Sequence, residues 1–270
     1  MTTSQQPSLE VSDLSVVYAN GHRAIHEVSF GLKGGVTCAL VGVNGSGKST
    51  LFNAIMGIVR PTTGTVKING ITVQSALKQN AIAYVPQSEN IDWHFPILVK
   101  DVVMLGRYGH MNFLRRASAK DKAIVQSALE RLGILDLSNR QIGELSGGQK
   151  KRVFLARALA QESRVILLDE PFTGVDVQTE FAVMELCKAL REEGYLMLVS
   201  THNLGAVPLY CNEVVLLNKR VVASGSVDEI YTADNLERAF GAVLKNIGLG
   251  NVQIISDDEH PAVFVGKEGA

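Results

Sequence analysis

Val36-Thr37-Cys38-Ala39-Leu40-Val41-Gly42-Val43-Asn44-Gly45-Ser46-Gly47-Lys48-Ser49 is the stretch that decides the fold. Residues 36–41 are a short, almost wholly apolar run that breaks off at a glycine, the pattern of a strand buried on both faces of a parallel sheet. Residues 42–49 match G-x-x-x-x-G-K-[ST], and a helix is expected from Lys48 to about Met56, stopped by Gly57 and Pro61. Glycines let consecutive backbone N–H groups turn around a phosphate, and the helix start adds its positive end. Lys48 suits β- and γ-phosphate oxygens, and the Ser49 hydroxyl suits a divalent ion. Gly42, Asn44, Gly45, Ser46, Gly47 and Thr50 are the other candidate nucleotide contacts here.

On the N-terminal side, Val28, Phe30 and Leu32 alternate as a half-buried strand, closed by Gly34-Gly35. On the C-terminal side, residues 65–68 and 81–85 read as short strands, ended by Asn69-Gly70 and Pro86. Ile124, Val125, Ala128, Leu129 and Leu132 then mark one helix face that ends at Gly133. Residues 165–168, 195–199 and 214–217 are apolar runs, with a helix over about 181–190 between the first two. This βαβ alternation predicts an α/β fold with a mostly parallel sheet and a helical insert over roughly residues 88–160. Short helices are expected at 228–231 and 236–240. From Asn251 the acidic run Ser256-Asp257-Asp258-Glu259 and late glycines predict a mobile tail.

A second anion site is legible at Leu145-Ser146-Gly147-Gly148-Gln149. Ser146 and Gln149 have capping-box spacing, and two glycines in a first helical turn cost about 1 kcal/mol each, so they need another reason. Close approach of a phosphate to Gly147 and Gly148 supplies one. Further on, Val165-Ile166-Leu167-Leu168-Asp169-Glu170 is an apolar strand ending in two carboxylates. Ligands of open parallel sheets sit beyond carboxyl strand ends, which suits Asp169 to a water-mediated Mg²⁺ contact and Glu170 to general-base work.

These motifs together resemble the ABC ATPase family over nearly the whole chain. The resemblance implies a P-loop NTPase fold, a RecA-like parallel sheet with an antiparallel β-subdomain and a helical subdomain bearing the signature. It implies ATP and Mg²⁺ as ligands, and two copies of the chain sandwiching two ATPs, each signature facing the partner's phosphate loop. Gln87 then corresponds to the glutamine that senses Mg²⁺ and the γ-phosphate, and His202 to the switch histidine. Asp176 in Thr173-Gly174-Val175-Asp176 corresponds to the loop that crosses the dimer, and Tyr18 to the aromatic stacked on adenine. Two positions depart from the pattern: Val43 stands where proline is frequent, and Asn203 where aspartate is usual.

The insert segments Ile91-Asp92-Trp93-His94-Phe95-Pro96 and 101–108 resemble the ATP-binding subunits of manganese, zinc and iron importers. That likeness implies an integral membrane permease as partner, with Trp93 lining the groove for it, and an extracytoplasmic metal receptor as an indirect one. A siderophore or cobalamin importer, a soluble ABC machine and a nucleotide-sensing module stay open as alternatives. The net charge of −1 from 26 basic and 27 acidic residues offers no field for nucleic acid. No apolar run reaches a membrane span and Met1 to Pro7 is polar, so a cytoplasmic location is expected, peripheral through the permease. Cys38, Cys187 and Cys211 are expected as buried thiols.

Overall fold

Alternating and unbroken apolar patterns build two different sheets. The computed structural model describes residues 6–87, 95–174, 176–241, 245–249, 252–256 and 262–265. The strands run β1 (Ser8–Val17), β2 (Arg23–Lys33), β3 (Val36–Val41), β4 (Thr63–Ile68), β5 (Ile71–Thr72), β6 (Ile82–Val85), β7 (Val165–Asp169), β8 (Leu196–Thr201), β9 (Glu213–Asn218) and β10 (Arg220–Ser226). The helices are α1 (Lys48–Ile55), α2 (Val73–Lys78), α3 (Val99–Met104), α4 (Ala119–Arg131), α5 (Gly147–Ala160), α6 (Val177–Glu192), α7 (Val207–Tyr210), α8 (Val227–Ile230) and α9 (Ala233–Phe240).

The alternating strands form an antiparallel sheet in the order β2-β1-β4-β5, with Val28 and Leu32 inward and Ser29 and Gly31 outward. The unbroken runs form the second sheet, β10-β9-β3-β8-β7-β6, parallel except for the β10 edge. Every residue of β3 and β8 is buried, as expected of strands covered on both faces. One core joins the antiparallel sheet, α1 and one face of the parallel sheet; another joins the opposite face to α3, α4 and α5. A third packs α7, α8 and α9 on β3 and β9.

Register fixes the place of the site. Val41 pairs with Thr201, Asp169 with Ser200, and Val85 with Leu168. The loops that leave β3, β6, β7 and β8 therefore emerge side by side at one carboxyl edge.

Other segments extend the reading of the sequence. β1 was not readable because Asp13, at φ 48°, marks a shift in register between Val11 and Leu14 that breaks the alternation. The stretch expected as a tail from Asn251 carries two strands of a three-stranded antiparallel sheet, β11 (Lys245–Leu249), β12 (Val252–Ser256) and β13 (Ala262–Val265). Cys38 and Cys187 are buried and Cys211 half-buried, and burial raises all three thiols, Cys187 and Cys211 to about 12.

Candidate functional site

The loop 42–47 joins buried β3 to α1, whose first turn has no side-chain cap: its N-cap residue is Gly47, at φ 104°. Free N–H groups and the dipole thus face the loop. Lys48 folds over it, donating from Nζ to Gly42 O at 2.6 Å and to Val43 O at 3.3 Å. Burial pushes its ammonium pKa down, while the carboxylates of Glu170 and Asp169 oppose that. Ser46 is 1% exposed, and its hydroxyl has no hydrogen-bond partner among the described residues.

Two of the glycines here have a cause beside the one expected. A Cβ on Gly42 would lie 2.1 Å from Leu217 O, and one on Gly47 would lie 2.3 Å from Ile25 Cγ2. The protein's own packing, in addition to any phosphate, excludes side chains at both positions. Ser49 is exposed at the start of α1, whereas the Thr50 hydroxyl is taken up by Tyr18 Oη at 3.1 Å. Tyr18 lies just beyond β1, 38% exposed, with the His22 ring stacked at 6.5 Å between centroids.

At the neighbouring strand ends, Asp169 accepts from Ser200 Oγ at 2.5 Å and from Tyr84 Oη at 3.1 Å. Glu170 is held in the left-handed region, φ 46°, with its N–H bonded to Ser200 Oγ at 2.9 Å. Its Oε2 accepts from Gln87 Nε2 at 3.0 Å and from Thr173 Oγ1 at 3.3 Å, and its Oε1 lies 3.6 Å from His202 Nδ1. The hydrogen bond from His202 is the main cause that holds the Glu170 carboxyl below its ordinary range; burial opposes it, and the charges of His202 and Lys48 and the Thr173 hydroxyl assist. The structure thus brings Gln87, Asp169, Glu170, His202 and Lys48 into one electrostatic group.

Ser146 and Gln149 close a reciprocal capping box on α5, as expected. Packing bears on one of the two glycines. A Cβ on Gly148 would lie 2.7 Å from Thr179 Oγ1, whereas one on Gly147 would meet Gly174 O at 3.4 Å, an ordinary contact. Asp176 caps α6, accepting from Thr179 N and Thr179 Oγ1, both at 2.9 Å, and these bonds lower its pKa. The contacts of the signature helix in this chain therefore run to the start of α6. Val175 and Trp93 lie outside the described residues.

Sequence reasoning missed the residue that ties these halves together. Lys151 on α5, 9% exposed, donates to Glu170 O at 3.2 Å and also to Thr173 O. Burial pushes its ammonium down to about 8, against the pull of Glu170. Tyr84, Ser200, Thr173 and Thr179 were missed as well; nothing in the local sequence signals a partner 31 or 85 positions away, as Ser200 and Tyr84 are from Asp169.

These residues fit a nucleotide triphosphate with a divalent ion. Among the described residues the buried Ser46 hydroxyl has no partner, Lys48 donates to loop carbonyls, and Asp169 presents hard carboxylate oxygens. A phosphate loop, a carboxylate pair and a histidine at adjacent ends of one parallel sheet, joined by a lysine to a capped glycine helix, define an ATP-hydrolysing cassette. A family model described as ABC transporter matches residues 25–173, and the chain belongs to that family.

Among its relatives, the chelated iron transport system membrane protein YfeB of Yersinia pestis is 58% identical over 97% of this chain and 92% of its own length. The manganese transport system ATP-binding protein MntA of Synechocystis sp. is 52% identical, over 89% of this chain and 93% of its own length. Among solved structures, cbiO1 from Clostridium perfringens, part of the ABC transporter complex cbiONQ, superposes with a TM-score of 0.72 at 30% identity. It covers 85% of this chain and 92% of that one. The chain is accordingly a transport ATPase that binds ATP. No helix among the described residues is long and apolar enough to cross a membrane.

Proposed function

We propose that this chain powers an importer of divalent transition metal ions, manganese foremost, from the cytoplasmic face of the inner or plasma membrane. It docks on an integral permease that an extracytoplasmic metal receptor feeds. The observation that carries hydrolysis is the Gln87–Glu170–His202 group at the ends of β6, β7 and β8. The metal reading is supported by the 52% identity to a manganese transport protein. Chelated iron is the second reading, favoured by the 58% identity to YfeB.

Asn44, Gly45, Ser46, Gly47 and Lys48 hold the phosphates, and Tyr18 offers the ring face away from His22 to the adenine. Ser49, Gln87 and Asp169 hold Mg²⁺, which, when bound, neutralises charge on the phosphoryl oxygens. Glu170 is the base toward the attacking water. Its lowered pKa keeps it ionised at neutral pH, and Gln87, Thr173 and His202 fix its orientation. His202 turns from Glu170 to the γ-phosphate. Ser146, Gly147, Gly148, Gln149 and Asp176 of each copy complete the site of the other, and ATP-driven closure of the pair moves the permease. A strain lacking the chain tests this: restored manganese uptake on complementation supports the reading, whereas restoration of iron uptake alone selects the second.

A further inference from the structure

Between α3 and α4 the chain raises a loop whose tip is left uncovered among the described residues. Phe113 is 97% exposed and Leu114 64% exposed. The base of this loop is firmly held. Arg107, 2% exposed, donates to Asp121 Oδ1 at 3.0 Å, to Ala160 O at 2.8 Å and to Glu162 Oε2 at 2.6 Å. His110 Nε2 lies 2.9 Å from Gln161 O, and a Cβ on Gly109 would sit 2.0 Å from Asn80 Oδ1. Arg115 N closes a turn on Asn112 O at 2.9 Å, and the Arg115 guanidinium folds back onto the Tyr108 carbonyl and over its ring. The anchors hold two adjacent apolar side chains out in water, where each forgoes its burial energy.

The charge around the tip has one sign. Arg115, Arg116, Lys120 and Lys122 are exposed, and none of them forms an ion pair among the described residues. The one acid between residues 105 and 122, Asp121, is buried against Arg107. Lys120 and Lys122 stand at the start of α4, the end where the helix dipole disfavours cations. A chain of net charge −1 thus concentrates positive charge beside an apolar tip, against local stability.

We propose that the loop 111–116 is a contact with anionic lipid: Phe113 and Leu114 enter the headgroup boundary, and Arg116, Lys120 and Lys122 bring positive charge to its phosphates. Apolar side chains flanked by basic ones are the chemistry that binds such surfaces. The permease is the weaker partner for this patch, because cytoplasmic loops of membrane proteins carry excess Lys and Arg and would meet it with like charge. The inference rests on the reading that the chain works at a membrane, but its test needs no permease.

The purified full chain is floated with vesicles of phosphatidylcholine alone, and of an equimolar mixture of phosphatidylcholine and phosphatidylglycerol. It should float with the anionic vesicles and stay behind with the neutral ones. Phe113→Ser/Leu114→Ser should weaken partitioning at least about tenfold, and Arg116→Glu/Lys120→Glu by roughly fivefold or more per side chain. ATP hydrolysis in solution should stay unchanged in both, since neither pair touches the nucleotide site. Failure of the unaltered chain to float, or flotation of both variants like the parent, overturns the proposal. Binding restricted to vesicles that hold the permease overturns it too and assigns the loop to protein. An unaltered chain that floats with anionic vesicles but brings down no permease from cell membranes would instead sink the transporter reading and leave this one standing.

Discussion

Glu170→Gln isolates proton acceptance from everything else the carboxylate does. The amide keeps the shape, so its oxygen can still accept from Gln87 Nε2 and Thr173 Oγ1, which lie 3.0 and 3.3 Å from Oε2. Its nitrogen falls toward His202 Nδ1, 3.6 Å from Oε1, and the anion beside His202 is lost. Removing a positioned general base costs about 10²–10⁴-fold, or about 3–5 kcal/mol on the barrier. Stability should change by less than about 1 kcal/mol, because the side chain is only half-buried and no cavity forms. The assay pairs equilibrium ATP binding with phosphate release from the permease complex. Binding should hold while turnover falls by at least about 10²-fold. Normal turnover would place the base elsewhere, and lost binding would make Glu170 a substrate ligand. The pH profile gives a second check. His202 lowers the Glu170 pKa, so the carboxylate is ionised above that value and activity is lost as pH falls through it. The acidic limb of kcat/KM should therefore lie below 4.5, the ordinary value for the group. A limb above that value refutes the assignment.

Other parts of the site give further outcomes. Lys151→Met removes the ammonium from the carbonyls of Glu170 and Thr173, each a charged hydrogen bond of about 1.5–3 kcal/mol. It should lower kcat about tenfold or more with ATP binding kept, and Lys151→Arg should recover part of that; equal kcat in the Met variant would dismiss the tie. Gly148→Ala drives a methyl to 2.7 Å from Thr179 Oγ1, which should cost about 1–3 kcal/mol in denaturant unfolding. Thr179→Ala in the same chain should return part of this, and a fully additive pair would deny the contact. Asp121→Asn leaves Arg107 buried with Glu162 as its remaining anion and should cost about 2–4 kcal/mol. Ser118, through its hydroxyl and backbone N–H, and then Arg107 hold the Asp121 carboxyl down to about 2. Its stabilisation is complete above the ordinary 3.8 and is lost as pH falls through about 2, so acid unfolding of Asp121→Asn should lack that step.

What the sequence made legible is what local pattern encodes. The run 36–41, the phosphate loop and the capping box each contain their own partners within a few residues, so strand, turn and cap follow from composition and spacing alone. The carboxylate pair was legible because an apolar strand ends on it. Lys151, Ser200, Tyr84 and Thr179 act through partners that only the sheet register and the packing of α5 on α6 bring near, and none of them differs locally from an ordinary surface or strand residue. Glycine shows the same limit from the other side. Gly42, Gly47 and Gly148 were singled out correctly as positions intolerant of side chains, yet the atoms a side chain would meet, Leu217 O, Ile25 Cγ2 and Thr179 Oγ1, belong to distant segments.

Asn203 carries that point into the chemistry. As a departure from aspartate it reads in the sequence as a charge lost from the loop after His202. The structure gives it neutral work instead: its Oδ1 accepts from Ala206 N at 3.1 Å, and its Nδ2 donates to Glu180 Oε1 at 3.4 Å. Glu180 lies in the first turn of α6, where the helix dipole favours an acid. An aspartate at 203 would set one carboxylate against another across that gap and could donate nothing to it. The amide at 203 and the acid at 180 are thus a matched choice: the loop that positions His202 is joined to the helix Asp176 caps by a bond that an ionised aspartate at 203 could not donate. The charge missing at 203 is what lets the two segments meet.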